Sequence, residues 1–284
     1  MSKIVIPMIT PFSDGEIDTH VIRKFVEYAT INGFDGLFPG GSTGGFASLS
    51  MKQHEQVLSE VIDESANLLL FAGICRNNMI ETIELGRNAI DMGYTNLVII
   101  NPYYHKFSER SIEKFFRDAI EALDSNIYLY NNPSLSGFTI QPELVSRLKA
   151  DYSSLVGMKD SGDNIRTFRK YLEIKNLEVF QGKDALLLDS IKSGAAGGVC
   201  STANFSLNTL KIAKNSGNVP DISEKTGKLV ELVSRFEVPA IHNFLFRKLI
   251  LKESRPKSYM NSPFSDLEPY PDVSEFLKYS ILPE

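Results

Sequence analysis

Short apolar runs alternate with amphipathic stretches along most of the chain. Eight runs recur every 20–30 residues or so, roughly the length of one strand plus one helix. They begin near Lys3, Asp35, Leu68, Thr95, Asn126, Ser154, Leu177 and Ala196. Runs such as LLLF and LVII are apolar throughout, as expected for parallel strands buried on both faces. Between the runs, apolar residues spaced three and four apart, most clearly in 112–123, predict amphipathic helices.

This alternation predicts an α/β protein, a closed (β/α)8 TIM barrel with a C-terminal helical extension. Eight strand–helix units suit a closed barrel better than an open doubly wound sheet. No GxGxxG pattern follows the first strand, which argues against a dinucleotide-binding sheet. We expect the catalytic barrel in 1–217 and the extension in 218–284, with helices near 221–236 and 240–252. The last thirty residues hold five of the 13 prolines and are expected to follow the surface irregularly.

Composition excludes several classes of function. The 284 residues carry a net charge of −5, with 23% charged and 43% hydrophobic residues, and no basic cluster. We therefore expect a globular protein without a nucleic-acid or membrane partner. The apolar runs are too short to span a bilayer, and the first residues lack a secretory hydrophobic segment. Cys75 and Cys200 are expected to be buried thiols in a reducing cytoplasm, and the scattered histidines predict no zinc site.

A lysine ends the sixth predicted strand. Active sites of (β/α)8 barrels lie at the C-terminal ends of the strands, which places Lys159 in the expected region. Near the barrel axis an ammonium group loses its solvation, and the neutral amine is the nucleophile that forms an imine with a ketone. For Lys159 alone, a side chain that reaches solvent or pairs with Asp160 explains the position as well.

Three other strand ends offer groups for the same chemistry. The second run ends in a glycine-rich turn, 39–45, where backbone N–H groups with Ser42 and Thr43 could bind a carboxylate. The fifth ends in Tyr130, whose phenol could shuttle a proton to a substrate oxygen, and the fourth ends in PYY, up to Tyr104. The alternatives are a flexible loop and barrel-filling aromatic residues. Taken together, these groups are the parts needed for imine chemistry on a 2-oxo acid.

Six motifs, in this order, resemble the dihydrodipicolinate synthase/N-acetylneuraminate lyase family: TPF at 10–12, GSTG at 41–44, PYY at 102–104, YNNP at 130–133, GMKDS at 157–161 and GKD at 182–184. The resemblance runs from about residue 4 to residue 205, essentially the whole predicted barrel. It implies a pyruvate-imine lyase or aldolase on a (β/α)8 barrel, usually a homotetramer. It also implies a small-molecule 2-oxo acid substrate, no metal, and no cofactor beyond the covalent imine.

The resemblance also assigns roles to individual residues. Lys159 matches the imine-forming lysine, and Tyr130 matches the tyrosine that relays protons to the substrate. Ser42 and Tyr104 match the hydroxyl partners of that relay, with Tyr104 reaching in from a neighbouring subunit. Thr43 matches the carboxylate binder. Four further residues fall where related aldolases hold the polyol part of the substrate: Ser161, Gly182, Asp184 and Ser201.

Departures from the family pattern narrow the substrate. Leu135 stands where synthases of the lysine pathway carry an arginine for a second carboxylate, which argues against dihydrodipicolinate synthesis. Gly45 replaces the usual glutamate after the GSTG turn. His105 follows PYY, where enzymes for phosphorylated substrates place an arginine nearby, so the unphosphorylated sugar acid is favoured. Segments 179–184 and 197–205 look most like archaeal 2-keto-3-deoxygluconate aldolases.

The leading hypothesis is a cytoplasmic aldolase of the Entner–Doudoroff pathway of carbohydrate metabolism that cleaves 2-keto-3-deoxygluconate reversibly to pyruvate and glyceraldehyde. Within the family, N-acetylneuraminate lyase and a keto-deoxy-sugar-acid dehydratase stay open, because GSTG occurs in several branches. Outside it, the rivals are a metal-dependent barrel aldolase and a catalytically silent sensor of 2-oxo acids. The lack of a His/carboxylate cluster argues against a metal-dependent aldolase. The feature that favours a silent sensor is Gly45, which departs from the family pattern.

Overall fold

The computed structural model of the protein describes residues 2–65, 67–254, 267 and 271–284. The strands are β1 (Lys3–Pro7), β2 (Phe12–Ser13), β3 (Glu16–Ile17), β4 (Gly36–Phe38), β5 (Leu69–Leu70), β6 (Ala72–Gly73), β7 (Asn96–Ile100), β8 (Asn126–Asn131), β9 (Leu155–Asp160), β10 (Glu178–Gln181) and β11 (Gly197–Val199). The helices are α1 (Thr19–Ile31), α2 (Met51–Glu64), α3 (Met79–Met92), α4 (Glu109–Ala122), α5 (Pro133–Ser136), α6 (Pro142–Asp151), α7 (Ile165–Leu172), α8 (Leu187–Lys192), α9 (Asn208–Ala213), α10 (Val219–Val233), α11 (Ala240–Leu245) and α12 (Val273–Leu277). In the part of the chain described here, no helix has the length and apolar character to cross a membrane.

The parallel strands form the predicted barrel. Their order is β5-β4-β1-β11-β10-β9-β8-β7-β6, and each of the eight apolar runs contributes one barrel position. The third position is split in two, since β5 pairs with β4 and β6 pairs with β7. Between the two halves, Phe71 N donates to Leu37 O at 3.0 Å, so the third strand bridges both neighbours and closes the ring. The short β2–β3 hairpin follows the first strand.

The helices begin and end where capping groups satisfy their free backbone atoms. Ser50 and Gln53 form a capping box at the start of α2. Ser108 accepts a hydrogen bond from Ser111 N at the start of α4, whose buried face is the stripe predicted from residues 112–123. These apolar faces cover the outside of the barrel. The sheet is therefore buried on both sides, which explains why its strands are apolar throughout.

The interior of the barrel is filled by side chains at successive levels. Aromatic and aliphatic residues make up this inner core: Val5, Phe38, Phe46, Phe71, Cys75, Val98, Ile100, Tyr128, Tyr130, Phe180 and Val199. At the N-terminal end of the strands, the Tyr128 hydroxyl and Lys3 Nζ both donate to Glu178, at 2.7 and 3.1 Å. This cluster closes that end, so access to the interior comes from the C-terminal ends of the strands.

The C-terminal extension is helical, as predicted. The helices expected near 221–236 and 240–252 are α10 and α11, and α11 continues into a π-helical turn, Phe246–Ile250. Their apolar faces share one core with Phe205, which follows the last barrel strand. The division into 1–217 and 218–284 therefore remains our proposal for two parts that pack closely together.

Arg247 anchors the extension to the barrel. Its guanidinium is buried and donates to Asp18 Oδ2 at 2.7 Å, to Phe12 O at 3.2 Å and to Glu253 Oε1 at 3.1 Å. The expectation of an irregular proline-rich end falls largely on residues 255–266 and 268–270, outside the described residues. The part of that end that is described contains α12.

Candidate active site

Lys159 lies inside the barrel near the end of β9. The residue is only 6% exposed, and its Nζ lies 4.3 Å from the centre of the Tyr130 ring and 5.1 Å from that of Phe38. Asp160 follows it on the strand and faces the opposite side, where it accepts a hydrogen bond from Asn131 Nδ2 at 2.7 Å. The alternatives of a lysine that reaches solvent or pairs with Asp160 therefore do not apply.

Tyr130 is paired in register with Lys159 on the neighbouring strand. Its hydroxyl donates to Ser42 Oγ at 3.3 Å and accepts a hydrogen bond from Asn132 Nδ2 at 2.7 Å. Burial by itself raises the pKa of Tyr130. The positive charge of Lys159 and hydrogen bonds with Ser42, Asn132 and Ser161 outweigh burial, so the pKa lies below its usual value of 10.0. A phenol with a lowered pKa beside an amine is suited to proton transfer.

The glycine-rich turn after β4 brings Ser42 and Thr43 to this pair. Residues Ser42–Gly44 form one turn of 3₁₀ helix, and Gly45 ends it in the left-handed conformation, with φ at 66°. A Cβ on Gly44 would lie 2.8 Å from the Met8 carbonyl oxygen, so only glycine lets the turn pack against the first strand. The predicted turn is thus tightly packed rather than a flexible loop.

Ser161 and Gly182 complete the lysine's surroundings. Ser161 N donates to Asn131 O at 2.8 Å, and Gly182 N donates to Asp160 O at 2.7 Å. A Cβ on Gly182 would lie 2.1 Å from Ser161 Oγ and 3.0 Å from Lys159 Cε. The missing side chain at position 182 therefore makes room for the Ser161 hydroxyl next to the amine.

Asp184 is buried, and its carboxylate is bonded within the protein. Oδ2 accepts from Ser201 N at 3.1 Å, while Oδ1 accepts from Thr202 N at 2.9 Å and from the Thr202 hydroxyl. Burial raises the pKa of Asp184, and these hydrogen bonds oppose the rise without cancelling it. Asp184 therefore supports the turn that carries Ser201, in addition to lining the cavity.

A cavity of about 570 Å³ connects these groups. Eight of the predicted site residues line it: Ser42, Thr43, Tyr130, Lys159, Ser161, Gly182, Asp184 and Ser201. Tyr104 does not line the cavity of its own chain. Its side chain is 90% exposed, and its backbone has a left-handed conformation with φ at 79°. A contribution from Tyr104 to the site would have to come from another copy of the chain.

Several residues of the site have no role that the sequence predicts. Asn132 belongs to the YNNP motif, and its place two residues after Tyr130 was a usable signal for a hydrogen bond to that phenol. Phe38 ends an apolar run, a position typical of a core residue, although its ring lies 5.1 Å from the amine of Lys159. The wall opposite the strand ends comes from the extension, which no local pattern indicated. Its residues are Val230, Val233, Ser234, Val238 and His242.

The remaining titratable candidates have simple surroundings. Cys75 and Cys200 are buried free thiols, as predicted, and burial raises the pKa of Cys75 to about 12. Over the described ranges, no group of three or more His, Cys, Asp and Glu side chains is placed to hold a metal ion.

The fold and the site define a (β/α)8 barrel protein with a lysine-centred cavity at the C-terminal ends of its strands. A family model described as the dihydrodipicolinate synthetase family matches residues 1–239. The chain belongs to this family, which confirms the resemblance drawn from its motifs.

Individual relatives fall into two groups by name. The 2-dehydro-3-deoxy-D-gluconate/2-dehydro-3-deoxy-phosphogluconate aldolase of Picrophilus torridus is 31% identical, over 85% of this chain and 93% of the relative. A 4-hydroxy-tetrahydrodipicolinate synthase of Methanothrix thermoacetophila is 34% identical, over 80% of this chain and 78% of the relative.

Solved structures show the same fold. The 2-keto 3-deoxygluconate aldolase from Picrophilus torridus has a TM-score of 0.86 and 30% identity, covering 94% of this chain and 98% of that one. YagE, an E. coli K12 prophage protein of the dihydrodipicolinic acid synthase family solved with pyruvate, has a TM-score of 0.86 and 25% identity, covering 98% and 96%. The predicted TIM barrel is confirmed.

Proposed function

We propose that the protein is a class I aldolase that cleaves 2-keto-3-deoxygluconate reversibly to pyruvate and glyceraldehyde. The observation that carries the proposal is the buried amine of Lys159, 4.3 Å from the centre of the Tyr130 ring. Similarity to the Picrophilus torridus proteins named as aldolases of this sugar acid supports the substrate. The lowered pKa of Tyr130 supports its part in proton transfer.

The reaction begins when the Lys159 amine adds to the C2 ketone. The Tyr130 phenol then donates its proton to the departing water, which leaves an iminium and a phenolate. The Tyr130 phenolate takes the proton of the C4 hydroxyl, and the C3–C4 bond breaks. The electron pair of the broken C3–C4 bond moves into the iminium and converts it to an enamine, while C4 becomes the carbonyl carbon of glyceraldehyde. Protonation at C3 and addition of water then release pyruvate and restore the amine.

The other site residues bind and orient the substrate in this proposal. Ser42 holds the Tyr130 hydroxyl, and Thr43 binds the substrate carboxylate with the N–H groups of its turn. The polyol part lies along Ser161, Gly182, Asp184 and Ser201, which line the same cavity as Lys159.

Reduction with borohydride in the presence of pyruvate tests the central step. We expect inactivation and a mass increase on the peptide that contains Lys159, and no labelling in Lys159→Ala. Lys183 is the matched control, because it also lines the cavity and Lys183→Ala should still be labelled. Labelling of Lys183, or no labelling at all, would overturn the assignment.

Other activities of the family are separated by their products. A coupled assay should show pyruvate and glyceraldehyde from 2-keto-3-deoxygluconate, and less from its phosphorylated form. N-Acetylneuraminate lyase would release pyruvate from N-acetylneuraminate, and a dehydratase would consume the sugar acid without releasing an aldehyde. A silent sensor would form the pyruvate adduct without turnover.

The synthase named among the relatives is the second candidate. The family resemblance gives synthases of the lysine pathway an arginine for a second carboxylate on the substrate. Leu135, at the position where the family resemblance expects an arginine, lines the cavity and gives that carboxylate no cation. We therefore expect glyceraldehyde to outcompete an aldehyde that carries a carboxylate in condensation with pyruvate, and the opposite preference would favour the synthase.

Tyr104 is proposed to act from a neighbouring copy within a homotetramer. Its exposure on its own chain supports this arrangement. Lys159→Ala and Tyr104→Phe would each be inactive alone. Mixed oligomers of the two variants should regain activity if the tyrosine crosses between subunits, and mixtures that stay inactive would contradict the arrangement.

A further inference from the structure

His242 lies in α11 of the extension and lines the same cavity as Lys159. The residue is 1% exposed, and its ring packs 5.8 Å from that of Phe205, centre to centre. Among the residues that the structure describes, neither Nδ1 nor Nε2 has a hydrogen-bond partner. A buried polar ring thus borders the cavity with its hydrogen-bonding capacity unused.

A neutral imidazole carries one N–H donor and one nitrogen acceptor. A buried polar atom without a partner costs free energy, so such a position is informative when it borders a ligand cavity. Burial lowers the pKa of His242 to about 4, so the ring is neutral at neutral pH. It therefore offers a hydrogen-bond donor and acceptor, and no charge.

The surroundings of His242 favour an uncharged partner as well. Three valines, Val230, Val233 and Val238, share its wall of the cavity. Among the described residues that line the cavity, Lys183 is the one cationic side chain besides Lys159. Its Nζ is already paired with Asp163 Oδ1 at 2.9 Å. The wall formed by the extension thus presents three valines, the Ser234 hydroxyl and one neutral imidazole and, in its described part, no charge.

We propose that His242 is a specificity-determining residue that hydrogen-bonds a hydroxyl on the aldehyde half of the substrate. The proposal rests on the proposed aldolase function and deepens it. It adds a contact from the extension to the aldehyde half, whose other hydroxyls are held from the barrel side by Ser161, Gly182, Asp184 and Ser201. The substrate class it names is an uncharged, hydroxylated aldehyde.

The test compares two aldehydes as partners of pyruvate in the condensation direction. Glyceraldehyde carries the hydroxyls, and propanal has the same carbon chain without them. His242→Phe keeps a flat ring and removes both nitrogens, while His242→Asn and His242→Gln return a donor and an acceptor. We expect His242→Phe to lower kcat/KM for glyceraldehyde roughly 10- to 100-fold and for propanal less than about threefold, with partial recovery in an amide variant.

Borohydride trapping of pyruvate on Lys159 distinguishes a failure of the role of His242 from a failure of the proposed aldolase function. Trapping should be equal in the wild type and in every His242 variant. His54 supplies the control, because it is also buried but lies outside the cavity. His54→Asn should leave the ratio of the two aldehydes unchanged.

Intact trapping with equal losses for both aldehydes, or with no loss for glyceraldehyde, would overturn the role of His242 and leave the aldolase standing. A wild-type protein that traps no pyruvate would instead overturn the proposed function.

Discussion

Gly182→Ala is a small change with a large expected effect on catalysis. The new Cβ would lie 2.1 Å from Ser161 Oγ, whereas van der Waals contact begins near ~3.5 Å. The Ser161 hydroxyl must therefore retreat by roughly 1.4 Å, which requires rotation to another staggered position. In that position it no longer bonds Tyr130, whose pKa the bond helps to lower. The same Cβ would lie 3.0 Å from Lys159 Cε and press on the amine-bearing side chain.

The size of the effect follows from the bond that is lost. In the proposed reaction Tyr130 becomes charged, and a hydrogen bond to a charged group contributes about 1.5–3 kcal/mol, so its removal corresponds to a loss of roughly 10- to 100-fold in kcat/KM. Displacement of the lysine adds to this loss, since small misplacements of reacting groups are costly. The fold should survive, because the atom met at 2.1 Å is a side-chain hydroxyl, whereas the backbone contact, Asp160 O, lies at 3.0 Å and has to give by only a few tenths of an ångström.

A double-mutant cycle isolates the cause. Ser161→Ala removes the hydroxyl without crowding, and Gly182→Ala displaces it. If both lose the same bond, Ser161→Ala/Gly182→Ala should be little worse than Ser161→Ala alone. Gly227→Ala in α10 is the matched control, because a Cβ there meets nothing within 4 Å, and its activity should be unchanged. Full activity in Gly182→Ala, or simple multiplication of the two losses, would show that the two variants do not lose the same hydrogen bond to Tyr130.

Three further predictions address the site and the fold. Asn132→Ala removes the donor 2.7 Å from the Tyr130 oxygen, so the pKa of Tyr130 should rise and the ascending limb of kcat/KM should move to higher pH. The pKa of His242 is about 4 in the folded protein and 6.5, its ordinary value, in the unfolded chain. Between these two values the unfolded chain binds a proton that the folded protein does not, so the free energy of unfolding should fall as the pH drops from 6.5 towards 4. His242→Asn should flatten this fall by up to about 1.4 kcal/mol per pH unit in urea unfolding. Arg247→Ala leaves Asp18 half-buried without its partner and should cost about 3–5 kcal/mol of stability.

Each of these predictions has a matched comparison. An unchanged pH profile in Asn132→Ala would show that its amide does not tune the phenol. Equal pH slopes for wild type and His242→Asn would contradict a neutral buried ring. Lys228→Ala breaks an exposed pair with Glu224 and should leave the unfolding midpoint unchanged, in contrast to Arg247→Ala.

The sequence predicted the barrel well because burial on both faces leaves a clear mark. All eight apolar runs are strand positions, and polar groups at their ends meet in one cavity. The split of the third strand was not predictable, because residues 68–71 read as one unbroken apolar run. The break arises from strand pairing, because β5 forms hydrogen bonds with β4 while β6 forms them with β7.

The functional environment of single residues was harder to predict. Asp184 matched a substrate-binding position, yet both its oxygens bond the turn at 201–202, a contact set by folding rather than by neighbours in sequence. His242 lies 83 positions after Lys159 along the chain and shares its cavity, so only the packing of the extension revealed it. Local patterns specify elements, whereas such pairs depend on tertiary geometry.

The shared cavity has a consequence for how this protein can diverge. The lysine and phenol sit on barrel strands, while the opposing surface belongs to α10, α11 and the segment between them. Selection can therefore act on the helices and reshape the choice of aldehyde while the covalent chemistry is inherited intact. Chimaeras that exchange only these helices between relatives would offer a direct route to new carbon–carbon bond-forming catalysts.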